Sequence, residues 1–413
     1  MTHPVTQPVN PNLLLNSATA TADIVQAATK KIVPGSLLAV LAMALVLLSS
    51  GFALTVAQEA QGVLRRGPAA WQSVPGALGL LMMLCTAVRA LWPTGRWASI
   101  GLVVGSFGAA ACWLALPPAQ GAAEGAAGFW FGVIALAALA AISVQRCSQF
   151  AGGRQLQPHA AVDEWLSAAV FGVWVLVFWQ LLVTALAVPR VIMPAPLGIG
   201  QALIEQRGIL GKDFVQTVVK AVLTGWLMGC GLGFLVAIAI DRQPFLQRGL
   251  LPIASLTSTV PLVAVAPITV MWFGFGWESK AAVVVLMTFF PMLVSTLAGL
   301  KAADKLEQEL MFTYAASYKR TLFDLRLPSA FPFVVGALKV NASLALIGAI
   351  VAEYFGSPTS GLGFRISTEA AKMNMSLVWG AIVVSAVTGS VAYALLVKLE
   401  RKVAFWHPSV RVK

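Results

Sequence analysis

Lys301–Pro328, KAADKLEQELMFTYAASYKRTLFDLRLP, is the one long charge-rich segment in an otherwise apolar second half of the chain. No G-x-x-x-x-G-K-S/T occurs anywhere; the nearest fragment, Gly208–Asp213, lacks both the spacing and a hydroxyl after Lys212. The chain therefore cannot cradle nucleotide phosphates by that route. Cys85, Cys112, Cys147 and Cys230 form no CxxC pair, and His3, His159 and His407 are isolated near termini and linkers. Neither a zinc site nor a disulfide framework is expected. What remains is noncovalent work: contact with another surface through the loop, and passage of a polar solute past polar groups set in apolar runs. The candidates for pathway lining are Thr257 and Thr259, in a run interrupted by Pro261 and Pro267, together with Asn341, Ser343 and Glu353. Glu353 serves equally well as a cap on the loop that follows it. Lys339 stands 14 residues before it, roughly 21 Å along a helix axis, so the two cannot pair within their helix.

Read as a helix over about 305–320, the charged segment places Leu306, Leu310, Met311, Tyr314, Ala315 and Tyr318 on or near one face. An amphipathic helix outside a bilayer must bury that face in lipid headgroups, in the chain's own helices or in a groove on a partner. Ala315, Ala316 and Ser317 are small enough for a close turn after the helix, and Pro328 sets the entry to the next apolar run.

The elements that hold these residues are membrane helices. Apolar residues make up 58% of the chain and charged residues 11%, against about a quarter charged in ordinary soluble domains. Charge-free windows of about 20 residues recur, enough to cross about 30 Å of hydrocarbon. The fold class expected is an all-α polytopic membrane protein with about ten transmembrane helices. Residues 1–35 form a polar tail. Runs at 36–57, 74–92, 97–116 and 129–145 follow, and Arg146, Gly152-Gly153, Arg154 and Pro158 then mark a break, so 36–160 reads as an accessory block with a linker. Runs at 163–188, 215–240, 249–273, 281–300, 330–355 and 376–398 make up the remainder, 161–413. The net charge of +12 is spread over short inter-helix segments and the C-terminal tail. That is the positive-inside pattern of a membrane protein, with both termini and the 301–328 loop cytoplasmic, and not the footprint of a nucleic-acid binder. Arg65-Arg66 is its exception, and Arg89, near the end of its run, is expected to snorkel to the interface. Gly225, Gly229 and Gly233 lay a smooth stripe on one helix face, a surface for close packing.

Glu309, Ala315 six residues on, and the ending Leu325-Arg326-Leu327-Pro328 resemble the cytoplasmic coupling loop of ABC importer permeases, whose pattern runs Glu-Ala-Ala, three residues, Gly, and later Ile-x-Leu-Pro. Leu310-Met311 stand for the two alanines and Ala315 for the glycine. The order of the last six runs, the loop's place between the fourth and fifth of them, the GLGF at 361–364 and the ending LERKVAFWHP resemble the nitrate, sulfonate and taurine branch. VIMPAPLGIGQAL, residues 191–203, resembles a proline-containing stretch after the first core helix. The resemblance covers about 161–413 and implies a type I permease core for the last six helices. It implies a coupling helix in which Glu309, Leu310, Tyr314, Ala315, Ala316, Ser317, Leu327 and Pro328 meet a cytoplasmic ATPase subunit.

On this reading the chain is not an enzyme. It is the transmembrane permease subunit of an ATP-driven importer in the bacterial cytoplasmic (inner) membrane, with no cofactor of its own and with ATP and Mg bound by a partner ATPase dimer. A periplasmic or surface-tethered solute-binding protein, and a second permease copy or close relative, complete the assembly. The branch implies a nitrate-, sulfonate- or taurine-like anion, or a pyrimidine- or vitamin-type heterocycle, as solute. Two rivals stand beside it: an ion-driven secondary transporter, against which the scarcity of buried acids argues, and a membrane scaffold or sensor built on a permease-like core.

Overall fold

In the computed structural model, which describes residues 34–51, 56–58, 64–66, 74–91, 96–115, 127–152, 160–243, 245, 262–356 and 360–403, apolar helices dominate. Six of these helices are long and apolar enough to cross a membrane and four are shorter apolar helices, matching the expected runs one for one. The chain divides between Val188 and Pro189 into two compact units.

The first unit holds α1 (Pro34–Gly51), a hairpin of β1 (Val56–Gln58) and β2 (Leu64–Arg66), α2 (Val74–Ala90), α3 (Arg96–Leu114), α4 (Ala127–Gly152) and α5 (Ala160–Ala185). Wholly buried alanines at 39, 42, 87, 109 and 135 let the backbones come close, and tryptophans fill the space left between them. Trp174 of α5 stacks on Phe107 of α3 with centroids 4.8 Å apart and donates from Nε1 to Ser143 Oγ of α4 at 3.1 Å. These contacts explain why the unit closes after α5 and not at the Gly152–Pro158 break. Arg146 Nη2 donates to the Ala90 carbonyl at 2.9 Å, satisfying an acceptor that the end of α2 leaves open. Arg65-Arg66 lie on β2, and Arg89 is exposed in the last turn of α2.

In the second unit α6 (Pro196–Glu205) places its proline in the first turn, where the missing N–H is no loss. α7 (Arg207–Phe214), a π-helical stretch π1 (Val215–Val222) and α8 (Leu223–Arg242) run on as one helix. α9 (Leu262–Phe273), α10 (Trp277–Leu300), α11 (Lys305–Thr313), α12 (Tyr318–Thr321), π2 (Leu322–Arg326), α13 (Leu327–Gly356), α14 (Leu362–Ala371) and α15 (Met375–Val403) complete it. α10 is the hub on which α8 and α13 both pack. The glycine stripe of α8 faces it: a Cβ added at Gly225 would lie 2.6 Å from Val284 Cβ, one at Gly229 2.9 Å from Val285 O, and one at Gly233 2.6 Å from Phe289 O.

Several boundaries differ from those expected. Gly208–Asp213 is helical and the helix reaches back to Arg207, because Asp213 finds partners deep in the unit. The glycine-rich stretch after Gly356 carries a helix, α14, instead of a continuous loop. The helix expected over 305–320 breaks at Tyr314–Ser317. Pro328 does not open a span, since the helix it belongs to has already begun at Tyr318.

Candidate functional site

The charged loop folds as a capped helix standing away from its own protein. Asp304 caps α11 by accepting the Leu306 N–H at 2.9 Å, and Glu307 supplies negative charge to the first turn. Gln308 Nε2 donates to the Ala303 carbonyl at 2.9 Å. At the other end Ala315 takes φ +51°, the Ala316 N–H bonds Met311 O at 3.0 Å and the Ala315 N–H bonds Phe312 O at 2.9 Å. That is the Schellman ending, which usually employs glycine at the left-handed position. No residue of α11 is buried; Leu306, Leu310 and Tyr314, one stripe at i, i+4 and i+8, are 74%, 56% and 77% exposed. Glu309 and Thr313 flank that stripe, Ser317 is exposed and Ala316 half-buried. Leu327 and Pro328 sit elsewhere. Both are half-buried within the helix body, and Leu327 packs on the cluster of Leu300, Leu322 and Ala330. Pro328 has no N–H to return to the preceding turn, and the helix ahead of it widens to π2, where the Leu327 N–H reaches back to Leu322 O.

Beneath α11 lies a cluster that the spacing of the sequence did not bring forward. Arg326 donates to both Asp241 oxygens, Nη1 at 2.8 Å and Nη2 at 2.7 Å, and from Nε to the Leu300 carbonyl at 3.0 Å. Tyr318 Oη donates to the same Asp241 carboxylate at 3.0 Å, with the Arg242 guanidinium 5.8 Å from its ring centroid. The one legible sign was an acid, Asp241, at the very end of an apolar run.

At the opposite end of the unit the turn before α14 is tied down by buried acids. The Thr217 hydroxyl donates to the Glu353 carboxylate, 2.8 and 2.9 Å from its two oxygens, and accepts the Leu362 N–H at 2.8 Å. Glu353 also accepts the Gly363 N–H at 3.0 Å, and Asp213 accepts the Gly361 N–H at 2.9 Å and Arg365 Nε at 2.8 Å. Lys280 Nζ donates to the Gly356 and Phe275 carbonyls. Gly361 has φ +129° and a Cβ there would lie 2.5 Å from Glu353 Oε2, so the turn admits only glycine. Glu369 of α14 takes hydrogen bonds from Lys372 and Asn374 at 3.0 and 2.9 Å. Burial pushes its carboxyl up, but those bonds and the Lys372 and Arg365 charges prevail and hold it below the usual carboxylate value.

Among the described residues, Asn341, Ser343 and Glu353 do not share one lining. Asn341 is buried, its Nδ2 donating to Thr288 O at 2.9 Å and to Cys230 Sγ at 3.2 Å. Glu353 is enclosed in the far-end network, and Ser343 alone is exposed, on the α13 face that carries Val340 and Ile347. Thr257 and Thr259 lie outside the described residues. Lys339, unable to reach Glu353, pairs with Glu400 of α15 at 2.7 Å. Among the described residues no group of His, Cys, Asp and Glu is placed to hold a metal ion.

Comparison with known proteins bears on this arrangement. The family model described as binding-protein-dependent transport system inner membrane component matches residues 229–405, from within α8 to just beyond α15. A formylaminopyrimidine transport permease of Halalkalibacterium halodurans is 29% identical over 58% of this chain and 96% of its own length. A probable ABC transporter permease of Haemophilus influenzae is 32% identical over 51% and 84%, and the taurine transport permease of Escherichia coli 26% over 60% and 91%. α1–α7 and π1 lie N-terminal to the residues that the family model matches. With its apolar helices and its relatives aligned over most of their own lengths, the chain belongs to the binding-protein-dependent transport system inner membrane components, as a permease subunit that moves a small solute within an ABC importer.

Proposed function

We propose that α11 is the coupling helix, docking in a cleft of a cytoplasmic ABC ATPase that carries the ATP and Mg. The observation that carries this reading is that α11 is well capped at both ends yet buries none of its residues. A nine-residue helix is too short to persist on propensity alone, so an apolar stripe left open on it calls for a surface to cover it. Glu309, Leu310, Tyr314, Ala315 and Ser317 belong to the docking face, with Ala316 at its edge. Leu327 and Pro328 hold the loop to the spans.

This reading puts both termini and α11 in the cytoplasm and the α13–α14 turn outside, where a solute-binding protein delivers its cargo. Two copies, or this chain and a close relative, enclose the pathway. Ser343, exposed midway along α13, is its best-placed lining residue, while Asn341 and Glu353 hold the protomer together. On this reading the solute is a small anion or a nitrogen heterocycle, which is supported by relatives named for formylaminopyrimidine, riboflavin, aliphatic sulfonates, taurine and nitrate.

The test is co-purification. The tagged chain is extracted from its native membrane, intact or with residues 305–313 replaced by a Gly/Ser linker. An ATPase that accompanies the intact chain and is lost from the replaced one, at equal yield of folded chain, supports the reading. Equal recovery of ATPase with both overturns it.

A further inference from the structure

The Asp241 cluster does more than close a salt bridge. An acid at the C-terminal end of a helix faces the negative pole of the dipole, and this one has only 6% of its side chain exposed. Such a carboxylate persists only when matched by a cation and hydrogen bonds. Arg326 supplies both, and three of its N–H groups are engaged at once: a two-pronged bond to Asp241 at the end of α8, and the Leu300 carbonyl at the end of α10. Only a guanidinium has the planar fork for this; an ammonium at the same place would be a point charge able to serve one partner well.

Tyr318 brings in the loop. It is the first residue of α12, directly after the turn that ends α11, and its hydroxyl reaches the same carboxylate. In an unbroken α-helix Tyr318 and Arg326, eight residues apart, would point about 80° away from each other at 100° per residue. The wider turn of π2 between them takes up less angle per residue and returns both side chains to one side. The chain also enters α11 from α10 through only a few residues, with Ala303 buried and bonded by Gln308. Both ends of the exposed helix are thus fastened to the ends of α8, α10 and α13. Arg326 occupies the unspecified position of the Leu-x-Leu-Pro ending, so the motif alone does not mark it.

We propose that Asp241, Arg326 and Tyr318 are positioning residues for transport, a link that makes α11 and the ends of α8, α10 and α13 move as one body. The proposal rests on α11 being the docking helix. Without the link, α11 would join the spans only through two short turns, and a displacement applied to it would be absorbed there.

The experiment uses the full complex in nanodiscs, with Cys85, Cys112, Cys147 and Cys230 changed to Ser and nitroxides on Lys305→Cys in α11 and Val340→Cys in α13, both exposed and away from the link. Distances are measured by pulsed electron resonance without nucleotide and with MgATP plus vanadate. In the parent complex, with labelled chains diluted among unlabelled ones so that the distance within one protomer is read, that distance should be narrow and the same in both states. Asp241→Asn, and Arg326→Lys despite its retained charge, should keep the ATPase bound at the parent's stoichiometry. They should nevertheless broaden or shift the distance under vanadate and lose roughly tenfold of the chain's effect on ATP hydrolysis, a usual size for a coupling between sites. The exposed neighbour Lys319→Gln should change neither. A parent distance that shifts between states, or an Asp241→Asn complex that matches the parent in distance and hydrolysis, overturns the link. Absence of ATPase from the parent itself would refute the docking reading instead, and the nucleotide-free distance would still test whether the link holds α11 rigid.

Discussion

Replacing Ala315 by glycine should strengthen the turn that ends α11. A non-glycine residue in the left-handed region costs roughly 1–2 kcal/mol, and Ala315 sits there at φ +51° with its side chain exposed. Removing the methyl leaves no cavity. Against that gain stands the greater freedom of glycine in the opened chain, about 0.4–1 kcal/mol. The balance is about 0.5–1 kcal/mol in favour of Ala315→Gly, or a roughly two- to fivefold smaller open population of the turn. The probe is the Ala316 amide, which bonds Met311 O only while the turn is formed. Hydrogen exchange of peptides spanning 311–318 should slow by that factor in Ala315→Gly and quicken in Ala315→Val, whose branched side chain fits a positive φ worst. Docking of the ATPase should survive the glycine. Unchanged or faster exchange at Ala316 in the glycine variant would refute the argument from backbone strain.

The glycines of α8 provide an internal control for helix packing. Gly229→Val should sharply reduce the yield of monodisperse chain by fluorescence-detected gel filtration, because its Cβ would press on the Val285 backbone and Thr288, whereas Gly231→Val, with open space at that point, should behave as the parent. The carboxyl of Glu369 contributes to stability with a definite pH dependence. Its folded pKa lies below the ordinary value of 4.5, so the contribution is complete above pH 4.5 and is lost as the pH falls through the folded value. The melting difference between the parent and Glu369→Gln should therefore be constant above that value and shrink in more acidic buffer; a difference that does not depend on pH would assign the effect to packing.

Particular residues show how far the sequence could be read. The apolar runs were legible because a bilayer imposes a length and a composition that few other environments demand. The stripe at Gly225, Gly229 and Gly233 was legible because helical periodicity alone puts the three on one face, and a surface without side chains has one main use. The break of the loop helix at Tyr314–Ser317 was not, since Ala315 is a good helix former on propensity and only its Schellman bonds show it turning left. Helix α14 was hidden for a similar reason: its start depends on Asp213, Thr217 and Glu353 taking the N–H groups of Gly361, Leu362 and Gly363 respectively, and the first two acceptors are far away in the chain.

Length, hydropathy and charge placement were enough to determine a multi-pass helical membrane protein, because each is a local response to membrane or water; the permease-type core was implied by the resemblance of the 301–328 loop to a known family. Which polar groups meet was decided by tertiary structure alone. Asp241 finds Arg326 and Tyr318, Lys339 finds Glu400 and not Glu353, and Asn341 turns inward to Thr288 while Ser343 stays exposed. Such pairs join helices distant in sequence, and their choice depends on helix rotation and register, which close packing against α10 sets and no single run can express.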